Sequence, residues 1–207
     1  MKKYDKLDRN GNFVTTTGER MKVGDIVKVN KDERIPADMV LLYTTEKTGT
    51  VFIRTDQLDG ETDWKLRKAI AYTQANTDPN NYATLRKLNG EIVANPPDQQ
   101  MYDFKGVFEI YDNQRRSSKS KKDRLLMDEG PSKKEALSLE NTMWANTILA
   151  SNGHCLGMVV YTGMESRSQM NSKDASTKVG KLDLEINRLS KMLFVLMIVL
   201  SIGIVGL

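Results

Sequence analysis

The chain has 207 residues, a formal net charge of +4 at pH 7, 39% hydrophobic residues and 28% charged residues. This balance fits a globular domain with one sizeable core, and so mild a charge does not by itself indicate a nucleic-acid partner. Cys155 is the only cysteine and His154 the only histidine, so the sequence excludes an internal disulfide and a Cys/His zinc cluster, and we expect no metal site and no nucleic-acid partner.

Short strands separated by turns dominate the first 110 residues. Apolar and β-branched runs bounded by Gly, Asn and Pro predict strands at 14–17, 23–29, 39–43 and 50–55 and two more between 91 and 113. Similar runs at 140–151 and 154–163 predict two further strands. Close strand spacing and few long helices before residue 175 indicate a mainly β fold, either a β-sandwich or a distorted barrel.

A strongly basic stretch interrupts this pattern. The segment NQRRSSKSKKDR, residues 113–124, carries six basic residues and one acid, a local charge of 6 − 1 = +5. It contains no apolar residue that could be buried, so we predict a mobile surface loop over residues 113–136. A patch for anionic lipid headgroups is the alternative interpretation.

The C-terminal part of the chain is helical in pattern and becomes wholly apolar. An amphipathic segment passes directly into residues 192–207, sixteen residues without a charge. As a helix these would span about 24 Å, less than the roughly 30 Å of a hydrocarbon core. We predict a globular domain over 1–178, a stalk helix over 179–191, and the start of a truncated transmembrane helix over 192–207. A buried soluble helix is the alternative, and no signal peptide is expected at the N-terminus.

The segment RTDQLDGETDWKLRK, residues 54–68, crowds acidic side chains around one glycine. Gly60 permits a tight turn and close approach to a ligand, and Glu61 on such a turn could orient a water and accept its proton. The neighbouring acids could hold the loop through side-chain to backbone hydrogen bonds. An ordinary polar turn between two strands explains the same residues, and the short motif alone does not decide between these interpretations.

Three motifs in order provide the context: VGDIVKV at 23–29, RIPADMVLL at 34–42 and DQLDGET at 56–62. This set resembles the actuator domain of P-type ATPases, pumps that form an aspartyl-phosphate intermediate. The Asp-Gly-Glu-Thr form of the loop resembles the type IV branch, the phospholipid flippases, and LSLENTMWANT at 137–147 and CLGMVVYTGMESRSQMN at 155–171 match that branch too. The string around the loop is most similar to the yeast Neo-like subgroup, although Asp63 stands where most flippases have Asn.

The resemblance covers about residues 20–110 and 137–207, and it implies a distorted jelly-roll or β-sandwich actuator domain on the cytosolic side. Glu61 would be the catalytic residue that orients the water for hydrolysis of the aspartyl phosphate, and Gly60 would let the loop fit beside the phosphate. Asp59 and Thr62 would support the catalytic loop.

The resemblance also implies cofactors and partners for the full-length protein. ATP and Mg²⁺ would bind the phosphorylation and nucleotide-binding domains of the same chain, because the Asp-Lys-Thr-Gly phosphorylation motif and a Walker-type loop do not occur here. This fragment would be inactive alone and bind neither cofactor. The protein would sit in a phospholipid bilayer, in Golgi or endosomal membranes of a eukaryote, and its subgroup works without an accessory subunit.

Two alternatives remain open from the sequence. One is the actuator domain of an ion-pumping P-type ATPase, against which Asp59 argues because ion pumps usually have Thr there. The other is a membrane-anchored β module that binds anionic lipid through the basic stretch. The sequence does not indicate which lipid would be transported.

Overall fold

The computed structural model describes residues 2–56, 63–111, 133–172 and 180–205. The chain divides into two compact units, Met1–Ser172 and Lys173–Leu207. The first unit is built from strands with a few short helices, and the second contains one long helix. The predicted mainly β class is therefore confirmed.

Three antiparallel sheets form the first unit. Its strands are β1 (Lys3–Leu7), β2 (Phe13–Thr17), β3 (Ile26–Asn30), β4 (Asp38–Thr44), β5 (Thr50–Arg54), β6 (Trp64–Lys68), β7 (Gly90–Ala94), β8 (Gly106–Ile110), β9 (Lys133–Leu137), β10 (Thr142–Met143), β11 (Ile148–Leu149) and β12 (His154–Tyr161). The six-stranded sheet has the order β10-β4-β12-β3-β1-β2, and the two smaller sheets have the orders β11-β5-β6 and β7-β8-β9. In the described part of this unit, the α-helices are α1 (Ala71–Asn76), α2 (Ala83–Lys87) and α3 (Arg167–Met170).

Strand β4 lies at the centre of the core and is buried at every position. Successive side chains of a strand point to opposite faces, and both faces of β4 are covered. Leu41 packs in one cluster with Val51 of β5, whereas Leu42 packs in another with Phe108 of β8 and Leu85 of α2. The six-stranded sheet is thus the middle layer, which explains why β4 reads as a continuous apolar run instead of an alternating one.

The sequence analysis did not predict helices α1 and α2, and the structure shows how a distant residue supports α1. The Glu135 carboxylate accepts hydrogen bonds from the backbone N–H groups of Ala71 (2.8 Å) and Tyr72 (3.2 Å) at the start of the helix. These N–H groups have no partner within a helix. Because the carboxylate comes from 64 residues further along the chain, local sequence patterns do not reveal it.

Glu135 also lies in a segment that the sequence analysis predicted wrongly as part of the basic loop. We expected a mobile loop over 113–136, but Lys133–Leu137 forms strand β9 and pairs with β8. Three of the five β9 residues are charged and only Leu137 is buried, which is why the sequence pattern indicated a loop. Strand β8 stabilises β9, and Nζ of Lys134 lies 2.6 Å from Oε1 of Glu109. The rest of that prediction, residues 113–132, lies outside the described residues.

Helix α4 (Lys181–Val205) forms the second unit. Its segment Leu182–Ile204, 23 residues with a mean hydropathy of 1.7, is long and apolar enough to cross a membrane by length and composition. At 1.5 Å per residue that segment spans about 34 Å, more than the hydrocarbon core. The helix is continuous across the predicted boundary between stalk and transmembrane segment, and that division at 191/192 stays a prediction.

A buried ion pair joins the start of β4 to the start of α3. Asp38 and Arg167 are both fully buried, and Nη1 of Arg167 lies 3.8 Å from Oδ2 of Asp38. The Asp38 carboxylate also accepts hydrogen bonds from the backbone N–H groups of Ala145 and Arg167, each at 2.8 Å. Both partners are over 100 residues away from Asp38 in the sequence. Burial raises the pKa of the Asp38 carboxyl, and these bonds and the Arg167 charge oppose that rise.

The Arg167 guanidinium also contacts an aromatic ring and a neighbouring loop backbone. It lies 3.9 Å from the ring centroid of Trp144 and donates hydrogen bonds to the carbonyls of Gln100 and Asp103, both at 3.1 Å. Trp144 in turn donates its Nε1–H to the carbonyl of Met101 at 3.0 Å. Segment 100–103 has no regular structure, so these bonds fix its backbone against the core.

We expect Asp38→Asn to lower the free energy of unfolding by about 3 kcal/mol, because it removes the charge that balances a buried guanidinium and points an amide donor at N–H groups. Asp5→Asn is the matched control, since Asp5 is partly exposed and accepts one long bond from Thr15. Urea denaturation of the detergent-solubilised chain, followed by tryptophan fluorescence, measures both. Equal losses in the two variants would contradict the role assigned to Asp38.

Candidate functional site

The β5–β6 hairpin holds the segment that the sequence analysis singled out. The two strands pair from Thr50↔Lys68 to Arg54↔Trp64, so residues 55–63 connect the ends of adjacent antiparallel strands. The predicted site residues lie outside the described residues: Asp59, Gly60, Glu61 and Thr62. The structure therefore defines the base from which this segment projects, and the roles of the four residues stay predictions.

Hydrogen bonds anchor the base of the hairpin on both sides. On the β5 side, the Phe52 N–H donates to Oγ of Ser151 at 2.7 Å, and the Phe52 carbonyl accepts from the N–H of Ala150 at 2.8 Å. On the β6 side, Nδ2 of Asn141 donates to the Lys68 carbonyl at 3.0 Å. Strands β5 and β6, which carry segment 55–63, are thus hydrogen-bonded to the surrounding fold, and Arg54 at the loop end of β5 also pairs with Ile148.

The inner face of β6 is basic and borders a small cavity of about 110 Å³. Lys65 and Arg67 line it, with Trp144 and Thr55 among the other walls. Thr55 is 2% exposed, and its Oγ1 has no hydrogen-bond partner among the residues that the structure describes. Of the three basic residues that follow the loop, Arg67 is buried, Lys65 is half-buried and Lys68 is exposed. Positive charge therefore lies on the strand that directly follows the acidic segment in the sequence.

The outer face of β6 has the opposite character. Trp64 is 61% exposed and Leu66 is 49% exposed, and both stand on the side opposite Lys65. The described ring contact of Trp64 is with the exposed Phe52, at 6.0 Å between ring centroids. Alternation of apolar and basic residues over 64–67 is the signal that could have revealed this two-faced strand.

Strand β12 begins with the only histidine and the only cysteine. Nε2 of His154 lies 2.8 Å from the hydroxyl of Tyr82, the residue just before α2, and the two rings meet edge to face. Burial lowers the pKa of His154, and the Lys28 charge lowers it further. Burial raises the pKa of the Cys155 thiol to about 12, so it stays protonated at neutral pH and packs as a small apolar residue. Both residues have structural roles in the described fold.

Comparison with known proteins identifies the family. Residues 2–100 match the family model of the P-type ATPase actuator domain. The chain is 44% identical over 96% of its length to a probable phospholipid-transporting ATPase, tat-5, of Caenorhabditis elegans. It is 43% identical over 99% of its length to the probable phospholipid-transporting ATPase IIB of Homo sapiens, and 43% identical over 90% to the phospholipid-transporting ATPase NEO1 of Saccharomyces cerevisiae.

These relatives are much longer than the chain. The matched regions make up 17%, 16% and 14% of the worm, human and yeast proteins. A solved zinc-transporting ATPase aligns with 82% of this chain and 15% of its own, at a TM-score of 0.42 and 11% identity. That structural likeness is too weak to support a conclusion, so family membership rests on the sequence matches.

We expect acidification to destabilise the fold through His154. The pKa of His154 is lowered in the folded state, so between that pKa and the usual value near 6.5 the unfolded chain binds more protons than the folded chain. The stability that neutral His154 contributes is therefore complete above about pH 6.5 and is lost as pH falls through the folded pKa. Urea denaturation between pH 8 and pH 5 should show wild type losing stability relative to His154→Gln, which stays neutral. A pH-independent difference between the two proteins would be inconsistent with this assignment.

Proposed function

We propose that this chain, which belongs to the P-type ATPase actuator-domain family, is the actuator region of an ATP-driven phospholipid-transporting ATPase. The observation that carries the proposal is identity of 43–44% along nearly the whole chain to relatives that bear that name. The names of these relatives favour phospholipid over an ion as the transported substrate. The Asp-Gly-Glu-Thr form of the loop, at Asp59 to Thr62, supports the same choice.

Glu61 is the proposed catalytic residue within this region. Its carboxylate would orient a water molecule and accept the water's proton as the water oxygen attacks the phosphorus of an aspartyl phosphate. The bond from phosphorus to the aspartyl oxygen would break, which releases inorganic phosphate and restores the aspartate. Gly60 would allow the close approach, and Asp59 and Thr62 would support the loop. The anchored β5–β6 hairpin supports this assignment, because a positioned base requires a fixed platform.

The acceptor aspartate and the nucleotide site belong to other parts of the full-length protein. ATP and Mg²⁺ would bind the phosphorylation and nucleotide-binding domains, since the family's Asp-Lys-Thr-Gly motif does not occur in residues 1–207. Mg²⁺ there would offset the negative charge that Glu61 meets beside the phosphate. The chain alone would therefore hydrolyse nothing, and its contribution would be dephosphorylation by domain movement.

The location follows from the same resemblance. Helix α4 can cross a bilayer by length and composition, and the full-length protein would be an integral membrane protein whose actuator domain faces the cytosol. Its similarity to the Neo-like relatives favours Golgi or endosomal membranes and function without an accessory subunit. Purification of the full-length protein with its associated chains tests the last point.

In the full-length protein, we expect Glu61→Gln to leave phosphorylation by ATP intact and to slow phosphoenzyme decay about 10²–10⁴-fold, the range that a positioned general base contributes. The measurement is decay of ³²P-labelled protein after a chase with unlabelled ATP. Asp56→Asn is the matched control, because Asp56 is an exposed acid at the described base of the same segment. Decay of Glu61→Gln at the wild-type rate would remove Glu61 from the reaction.

A further inference from the structure

An exposed apolar patch lies on the hairpin beside the proposed catalytic loop. The outer hairpin face, defined as Phe52, Trp64 and Leu66, is exposed by 42%, 61% and 49%. Phe52 lies directly opposite Leu66 in the strand register, and its ring contacts that of Trp64. The sheet's other face supplies the core residues Val51 and Ile53. The three side chains therefore form one continuous apolar surface that the described fold leaves uncovered.

A groove beside this face makes it unlike a random exposed patch. Phe52 and Trp64 line a surface groove of about 340 Å³ whose other walls include Lys31, Glu46 and Asn152. Nζ of Lys31 donates to Oδ1 of Asn152 at 2.7 Å, so this part of the rim is ordered. An apolar centre with a polar rim is the usual anatomy of a protein–protein interface. The rim carries Lys31 as well as Glu46, so it has no net positive charge that would attract an anionic bilayer surface.

We propose that the outer hairpin face docks on the phosphorylated domain of the same polypeptide, with Trp64 as the apolar anchor that seats the loop. This inference rests on the proposed function. The chain is 14–17% of the length of its relatives, so the full-length protein contains the partner surface. Trp64 follows the loop residue Thr62 by two positions. Any domain that brings a phosphate to this loop therefore comes within side-chain reach of Trp64.

Electrostatics explains why an apolar anchor is needed at this place. A carboxylate that approaches a phosphoryl group meets like charge, and attraction between oppositely charged surfaces would have to overcome that repulsion before the loop is seated. Burial of aromatic surface favours docking without adding charge near the reacting atoms, and Trp is among the residues that most often dominate such contacts. The outer hairpin face therefore provides attraction while the neighbouring loop provides chemistry.

The test uses the full-length protein and the variant Trp64→Ser. Phosphoenzyme formation from ATP should match wild type, phosphoenzyme decay should slow by about tenfold, and the affinity for orthovanadate, a phosphate mimic that favours the docked state, should fall by a similar factor. Trp64→Phe should restore most of both losses because it restores apolar surface. Val93→Ser is the matched control, since Val93 is an exposed valine on strand β7 of another sheet.

The outcomes separate this inference from the proposed function. Wild-type decay in Trp64→Ser, with slow decay in Glu61→Gln, would overturn the docking role and leave the function standing. Slow decay with unchanged vanadate affinity would show a local effect on the loop and would also overturn it. Reduced binding of the chain to phosphatidylcholine vesicles with unchanged vanadate affinity would assign the face to the bilayer instead. If Trp64→Ser forms no phosphoenzyme, Leu66→Gln provides the same test.

Discussion

The buried contact between Asp38 and Arg167 determines how the centre of this domain is assembled. Asp38 begins β4, and its carboxylate binds the backbone of Ala145 and Arg167, segments that are far apart in the sequence. Burial of either charge alone would be costly, so each residue makes the other tolerable. The guanidinium also lies against Trp144. One ion pair thus joins the central strand, the turn between β10 and β11, and helix α3.

The position of the proposed catalytic loop depends on that turn. Residues 144–147 lead from β10, which pairs with β4, into β11, which pairs with β5. Strand β5 then pairs with β6, and the loop connects these two. A short series of hydrogen-bonded neighbours therefore runs from the buried pair to the loop base. A change at Asp38 would reach the base of the loop through these strands.

Local patterns predicted strands such as β4, because the continuous apolar run at 39–43 requires only local information, but they missed β1 and β6. They failed where the stabilising partner is remote. Helix α1 depends on the carboxylate of Glu135, and β9 depends on pairing with β8, although its own residues look like loop. The loop motif indicated the site residues, but only the strand register showed that Trp64 stays exposed while Arg67 is buried. Distant pairing, which a single sequence does not display, accounts for each of these cases.

The two faces of β6 suggest how the proposed catalytic loop could act in a reaction whose other groups belong to another domain. The loop carries acids that a phosphate would repel, and the missing positive charge belongs to the domain that holds the phosphate. If charge alone governed docking, the contact would weaken steeply with salt and would change as the phosphoryl group forms and leaves. Apolar attraction through Trp64 and Phe52 depends little on either. In the proposed mechanism, docking strength and reactivity would then be set separately, because the outer hairpin face would govern docking of the loop and Glu61 would govern hydrolysis in the docked state.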